Sequence, residues 1–251
     1  MSTNAFEDSV LKDVSRYQFR RRILDQFPRG SRIRGFTLPG SALAFEEDLA
    51  WDYRDGLQLY GVEQVGAVYD AALKKIERAG IPMTLSREND LNYWERSATE
   101  KLDFVWLDYC AMWNSHQRRA IEAMLANGHL NFDNGNPLVA LTVLAAREPS
   151  GELVDEIYAD HLSKGGRPDE VDLCEARRVG IPRAINRSAR GLGFTFVPQF
   201  VVYYRDAVRA RLAQPMMLFV FEVFRGDLRY NENRVPFIHS RAWLEKDITL
   251  H

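Results

Sequence analysis

Two apolar runs, each closed by a carboxylate and each followed by a helical pattern, constrain this chain most. The first is Leu57-Gln58-Leu59-Tyr60-Gly61-Val62-Glu63 and the second is Phe104-Val105-Trp106-Leu107-Asp108-Tyr109-Cys110. Short apolar strands alternating with amphipathic helices make a parallel sheet, because parallel neighbours need a crossover connection. Ligands of such open sheets bind beyond the carboxyl ends of the strands. Glu63 and Asp108 therefore fall on the edge where a ligand would lie.

The rest of the chain extends the same pattern. A first strand is expected over Arg32 to Leu38, stopped by Pro39-Gly40, and a helix from Ser41 to Tyr53 with Ser41 as its cap. After the strand Leu57 to Val62 comes a helix from Gln64 to Arg78, burying Val65, Val68, Tyr69, Ala72, Leu73 and Ile76. A short strand near Pro82 to Leu85 leads to Asn89-Asp90 and a weak helix. The strand Phe104 to Leu107 is followed by a helix from Ser115 to Asn127. The strand Pro137 to Ala145 reads as a near-continuous apolar run, as a strand covered on both faces requires. Residues 150 to 190 look helical and polar, broken at Gly165-Gly166-Arg167-Pro168. Two long strands, Val197 to Tyr204 and Met216 to Phe224, close the pattern as an antiparallel pair.

Residues 1 to 30 read as a helical preface carrying Val10, Leu11, Val14, Phe19, Ile23 and Leu24 at helical spacing. Arg16, Arg20, Arg21 and Arg22 lie among them. These are either a solvated helix face or a local phosphate-binding patch, since guanidinium groups grip phosphate bidentately. The expected organisation is a basic helical extension over residues 1–31 and one α/β domain over 32–251.

Composition removes several classes. The 251 residues carry 33 Lys and Arg against 35 Asp and Glu, so net charge makes no whole-molecule case for nucleic acid or membrane. Two cysteines, Cys110 and Cys174, make neither a disulfide framework nor a zinc set, and the five histidines lack ligand spacing, so no metal is expected. Met1-Ser2-Thr3-Asn4 opens a polar stretch with no signal-peptide core, and the longest apolar run, Met216 to Phe221, is too short for a bilayer. The expectation is a cytoplasmic protein.

An open α/β sheet with helices on both faces, finishing in an antiparallel pair, resembles the Rossmann-like fold of class I S-adenosylmethionine-dependent methyltransferases. Within that group it resembles the divergent methyltransferase-like proteins of phages and other mobile elements. Four places carry the resemblance: Phe36-Thr37-Leu38-Pro39-Gly40, Gly61-Val62-Glu63-Gln64, Asn89-Asp90 and Leu107-Asp108-Tyr109-Cys110. The resemblance implies S-adenosylmethionine as cofactor, held by Leu38, Pro39, Gly40, Glu63, Gln64, Asp90 and Asp108. Gly40 would let backbone approach the methionine moiety, Glu63 would accept both ribose hydroxyls, and Asp90 would accept from the adenine amino group.

Asp108, Tyr109 and Cys110 are the catalytic candidates. In amino-directed nucleic-acid methyltransferases the corresponding turn is an acid or amide, two prolines and an aromatic; this chain has the acid and the aromatic without the prolines. Cytosine-C5 enzymes place a nucleophilic cysteine at this edge, after a proline, whereas Cys110 follows Tyr109. Cys110 otherwise reads as a small buried residue, and Trp106, Tyr109 and Trp113 as core and rim packing. Glu63 has a second reading as a carboxylate near the start of the next helix. Two functions follow. One is methyl transfer, with nucleic acid as acceptor; the other is a catalytically inactive module of the same fold that binds nucleic acid or a protein partner. A nicotinamide-dependent enzyme fits less well, since the chain lacks a Gly-x-Gly-x-x-Gly turn.

Overall fold

Eight strands make one sheet: β1 (Ile33–Thr37), β2 (Leu57–Val62), β3 (Met83–Ser86), β4 (Phe104–Asp108), β5 (Leu138–Leu144), β6 (Phe194–Tyr204), β7 (Met216–Arg225) and β8 (Phe237–His239). Their order is β3-β2-β1-β4-β5-β7-β6-β8. The structure, a computed structural model, describes residues 10–109, 111–145, 163, 165, 170–204, 215–231 and 234–239. Cys110, residues 1–9 and the Gly166-Arg167-Pro168 part of the expected break lie outside the described residues. β1 to β5 pair in parallel, and β7 pairs antiparallel with both β5 and β6. The mostly parallel α/β sheet ending in an antiparallel pair is the architecture expected from sequence.

Burial explains the strand order. Phe104, Val105, Leu107, Val139, Ala140 and Leu141 are fully buried, so β4 and β5 are the continuous apolar runs of strands covered on both faces. β2 alternates buried and half-buried positions, as a strand nearer the edge does. The reversal at β1 and β4, where the strand order changes direction, opens a crevice at the carboxyl edge. Two glycines allow tight approach within the sheet. A side chain at Gly35 would collide with the ring of Phe104, its β4 neighbour, and one at Gly61 would lie 2.9 Å from the Thr37 carbonyl oxygen.

Helices cover both faces. α1 (Val10–Gln26), α2 (Ala44–Tyr53) and α3 (Gly66–Ala79) share one core with the sheet; α4 (Asp90–Trp94), α5 (Ser115–Ala126) and α6 (Glu170–Gly191) share the other. No helix of the described residues is long and apolar enough to cross a membrane. α1, expected as an extension ahead of the domain, is packed into it. Phe19 is fully buried, stacks on Phe45 at 5.7 Å and meets Phe104 and Trp106 edge-on at 6.2 and 5.8 Å.

Several expectations need correction. Ser41 does not cap α2; the helix begins at Ala44 behind Leu43, which turns into the left-handed region at φ 49° with no side-chain cap. The connection after β1 is longer than a simple cap would make it, and it wraps the crevice. In α3 only Ala72 and Ile76 are buried, while Val65 precedes the helix and is 49% exposed. Val68, Tyr69 and Leu73 are half-buried, because α3 lies over the outer strands and β3 adds only four residues of cover. α6 is not simply polar: Ile181, Ala184, Ile185 and Ala189 are buried against the sheet. β6 starts three residues earlier than expected, at Phe194, because Pro198 sits at an irregularity between Pro198 and Phe200 that hides the strand.

Asp52 fastens α1 to α2. Its side chain has no exposed surface and takes Arg20 at 2.5 Å and Arg29 at 2.8 Å. Burial alone would raise its carboxyl, but the hydrogen bonds from Arg20 and Arg29 hold it below the ordinary range. Its contribution is therefore present above the unfolded carboxylate pKa and fades as pH falls through the folded one. Asp52→Ala should lower stability by about 3 kcal/mol, since it strips a covered ion pair of one partner. Urea unfolding at pH 7 and pH 3 checks this, and the deficit should shrink at the lower pH.

Candidate functional site

The crevice between β1 and β4 holds four charged side chains in opposed pairs. A small open cleft is lined by Lys12 and Arg16 of α1, Thr37 at the end of β1, the Leu38–Pro39–Gly40 loop, Glu46 of α2, and Trp106 and Asp108 of β4. Lys12 and Arg16 are one helical turn apart and so face the same way. Lys12 Nζ lies 2.8 Å from Asp108 Oδ2. The other Asp108 oxygen, Oδ1, is buried with no hydrogen-bond partner among the described residues. Glu46 is buried, and burial raises its carboxyl above the ordinary range; Thr37 and Arg16 oppose that rise and Asp108 adds to it.

The loop after β1 is held from both sides. Leu38 N–H donates to the Trp106 carbonyl at 3.2 Å, and Lys75 of α3 donates to the Ala42 carbonyl and to Glu47 at 2.9 Å. Trp106 is fixed in turn by Phe45 edge-on at 4.4 Å and by its indole N–H on Thr142 at 3.0 Å. The walls of the cleft are thus rigid, and its charged groups enter on α1, α2 and β4.

Asp90 belongs to a second cluster on the same edge. It is buried in the first turn of α4, accepts the Tyr109 hydroxyl on Oδ2 and lies 2.8 Å from His116 Nε2 through Oδ1. Burial pushes the Tyr109 hydroxyl well above its usual value, and the Asp90 charge and hydrogen bond push it further. Tyr109 and His116 rings meet edge-on at 6.1 Å. α5 positions His116 through an Asn114–Gln117 capping box that fixes the first turn of the helix.

Glu63 ends β2 as expected and accepts the Val65 N–H at 2.7 Å, just ahead of α3. Gln64 is exposed and accepts from Asn89 at 3.4 Å. Trp106 and Trp113 are buried, in keeping with packing roles. The four arginines of α1 do not share one face. Arg16 pairs with Asp13 at 2.9 Å, Arg20 with Asp48 and Asp52, and Arg22 with Glu222 of β7 at 3.1 Å; Arg21 is exposed. Cys110 lies outside the described residues.

The structure brings Leu38, Pro39, Gly40 and Asp108 to one cleft and joins Asp90 to Tyr109 beside it. Sequence reasoning missed Lys12, Glu46 and His116. Lys12 and Arg16 stand four residues apart on α1, a visible signal. Nothing in the Glu46-Glu47 pair tells which acid turns inward.

The donor set fits the methionine end of S-adenosylmethionine. Lys12 and Arg16 suit its carboxylate, and Glu46 with the unpartnered Asp108 oxygen suits its ammonium group. At the adenine end Asp90 already holds two protein donors.

No protein-family model matches the sequence, and no curated protein matches it. Solved structures share its fold. A Listeria monocytogenes protein provisionally described as a class I S-adenosylmethionine-dependent methyltransferase superposes with a TM-score of 0.53 at 11% identity, covering 94% of this chain and 69% of that one. A provisionally described methyltransferase from Escherichia coli gives a TM-score of 0.50 at 10% identity, covering 86% and 88%. The chain has the Rossmann-like class I methyltransferase fold.

Tyr109→Phe should leave Asp90 with one fewer donor and lower stability by about 1.5–3 kcal/mol, the range for a hydrogen bond to a charged group. Chemical denaturation measures the loss. The His116 ring signals in an NMR spectrum should shift with it, because both residues hold the same carboxylate.

Proposed function

We propose that the chain is an S-adenosylmethionine-dependent methyltransferase acting on nucleic acid. The single observation that carries this reading is the cleft at the β1–β4 reversal, where two cations face two carboxylates and one carboxylate oxygen is buried without a partner. A buried unpaired acceptor is costly, and a ligand ammonium group removes that cost. The cofactor supplies an electrophilic methyl carbon carried on a sulfonium sulfur. Methyl transfer then asks the protein chiefly for alignment of acceptor, carbon and sulfur.

Each residue has a stated task. Lys12 and Arg16 bind the cofactor carboxylate; Glu46 and Asp108 bind its ammonium group; Glu63, at the end of β2, accepts from the ribose. The Leu38–Pro39–Gly40 loop forms the wall beside the methionine moiety. Asp108, at the tip of β4, also orients the acceptor, and the half-buried Tyr109 keeps the following turn in place by its bond to Asp90. Nucleic acid as acceptor rests on the acid and aromatic pair after β4.

The inactive-module reading is favoured by a different observation. Asp90 is taken up by Tyr109 and His116, and Lys12 bridges to Asp108, so two of the expected ligand contacts already have protein partners.

Calorimetry with S-adenosylmethionine and its demethylated product decides between them. Saturable binding is expected, weakened by about 1.5–3 kcal/mol in Glu46→Gln and in Glu63→Ala, as for hydrogen bonds to charged groups. No heat from the wild-type protein at millimolar cofactor would sink the enzyme reading in favour of the module. Glu46→Gln carries a second expectation. Because burial raises the Glu46 carboxyl above the ordinary glutamate range, the folded chain holds this proton more tightly than the unfolded chain. Stability from Glu46 is therefore full below the unfolded pKa and is lost as pH rises through the folded one. The glutamine variant should melt higher than wild type at pH 7 while binding cofactor less well.

A further inference from the structure

Trp51 is 73% exposed, the most open large apolar side chain among the described residues. It lies near the carboxyl end of α2, at the edge of the sheet opposite the cleft, because the chain passes from it through the Arg54–Gly56 turn into the start of β2. The Arg54 guanidinium sits over its ring, 6.0 Å from the centroid. Arg54 reaches that position from a backbone with φ 47° and ψ −124°, a left-handed φ that non-glycine residues rarely adopt. Strain of this kind persists where the surrounding structure enforces it.

Two more exposed arginines, Arg29 and Arg32, lie on the same edge of the sheet. Arg29 meets Asp52, the neighbour of Trp51, yet keeps 67% of its side chain exposed. Arg32 is exposed and runs alongside the Arg54–Gly56 turn, since a side chain at Gly56 would collide with the Ser31 carbonyl. Neither Arg32 nor Arg54 makes an ion pair among the described residues. Of the nearby acids, Asp52 is covered, Asp48 pairs with Arg20 at 3.2 Å, and Asp55 is exposed in the turn.

We propose that Trp51, with Arg29, Arg32 and Arg54, is a docking surface for single-stranded nucleic acid. The indole stacks on one unpaired base and the guanidinium groups take the flanking phosphates. A lone exposed aromatic beside exposed cations, of which Arg32 and Arg54 make no ion pair among the described residues, suits a base and its phosphates, because base stacking needs one open ring face and a phosphate needs an accessible guanidinium. A protein interface of useful affinity would need a contiguous apolar core, and Trp51 has no exposed apolar neighbour in α2. A duplex hides its base faces, so the strand is single. β2 spans six residues between this surface and the cleft edge, roughly 20 Å at about 3.3 Å per residue.

The test is fluorescence anisotropy with a labelled twenty-nucleotide oligouridylate and its thymidylate counterpart, over a range of salt. Wild type should bind with an affinity that falls as salt rises. Trp51→Ala should bind about ten-fold more weakly with an unchanged salt slope. Arg32→Ala with Arg54→Ala should weaken binding and flatten the slope by about two phosphate contacts. Cofactor calorimetry on Trp51→Ala should match wild type, so failure of the cleft reading and failure of this surface are separate results. Absent oligonucleotide binding, or equal binding in wild type and both variants, overturns the proposal. Self-association in sedimentation that Trp51→Ala abolishes, without oligonucleotide binding, would make the surface a protein interface instead. All four side chains project from the surface, and matching circular dichroism melts would confirm that the variants fold.

Discussion

The covered carboxylate of Asp52 is the constraint on which the rest depends. It draws Arg20 from α1 and Arg29 from the following turn onto the end of α2, while Phe19 locks the same helix over Phe45 and Trp106. Lys12 and Arg16 lie on that helix. A cleft whose cations come from α1 and whose carboxylates come from α2 and β4 exists only while α1 is seated. Packing energy far from the charges thus sets the geometry of the charges, and an ion pair in low dielectric fixes the register of the seating.

Most of the scaffold was legible because strands covered on both faces leave continuous apolar runs. β2 was bounded as expected from sequence, and β4 and β5 to within a residue or two. What blurred was local. Leu43 starts α2 by a left-handed turn that no side-chain pattern announces, and Pro198 disguises the first half of β6. β8, three residues long, is too short to carry a period. The site was legible only in part. Glu63 and Asp108 stand at strand ends and Asp90 opens the helix that follows β3, where position alone points to them. Glu46 and His116 come from helices, and which helical face turns inward is a property of tertiary packing rather than of spacing.

Glu46 and Asp108 also illustrate a tension within the cleft. Two acids approach each other in a covered site with cations on the opposite wall. Replacing such an arrangement by an apolar filling of the same space is often neutral or stabilising. The Asp90–Tyr109–His116 cluster is different: every member has a partner, and it stiffens the turn after β4.

The outer margin of the sheet carries its own safeguard. β8 covers only Val201 to Tyr203 of the eleven-residue β6, so the stretch from Phe194 to Phe200 has no neighbour among the described strands on that side. A bare margin would invite a strand from another molecule to add on, but here the Phe196 N–H and carbonyl are both taken by the Asn186 side chain of α6, at 2.7 and 2.8 Å. Pro198 lacks an N–H to offer such a strand, and the irregularity beside it breaks the spacing of the remaining donors. The proline and Asn186 together leave this margin with few backbone groups to offer another strand.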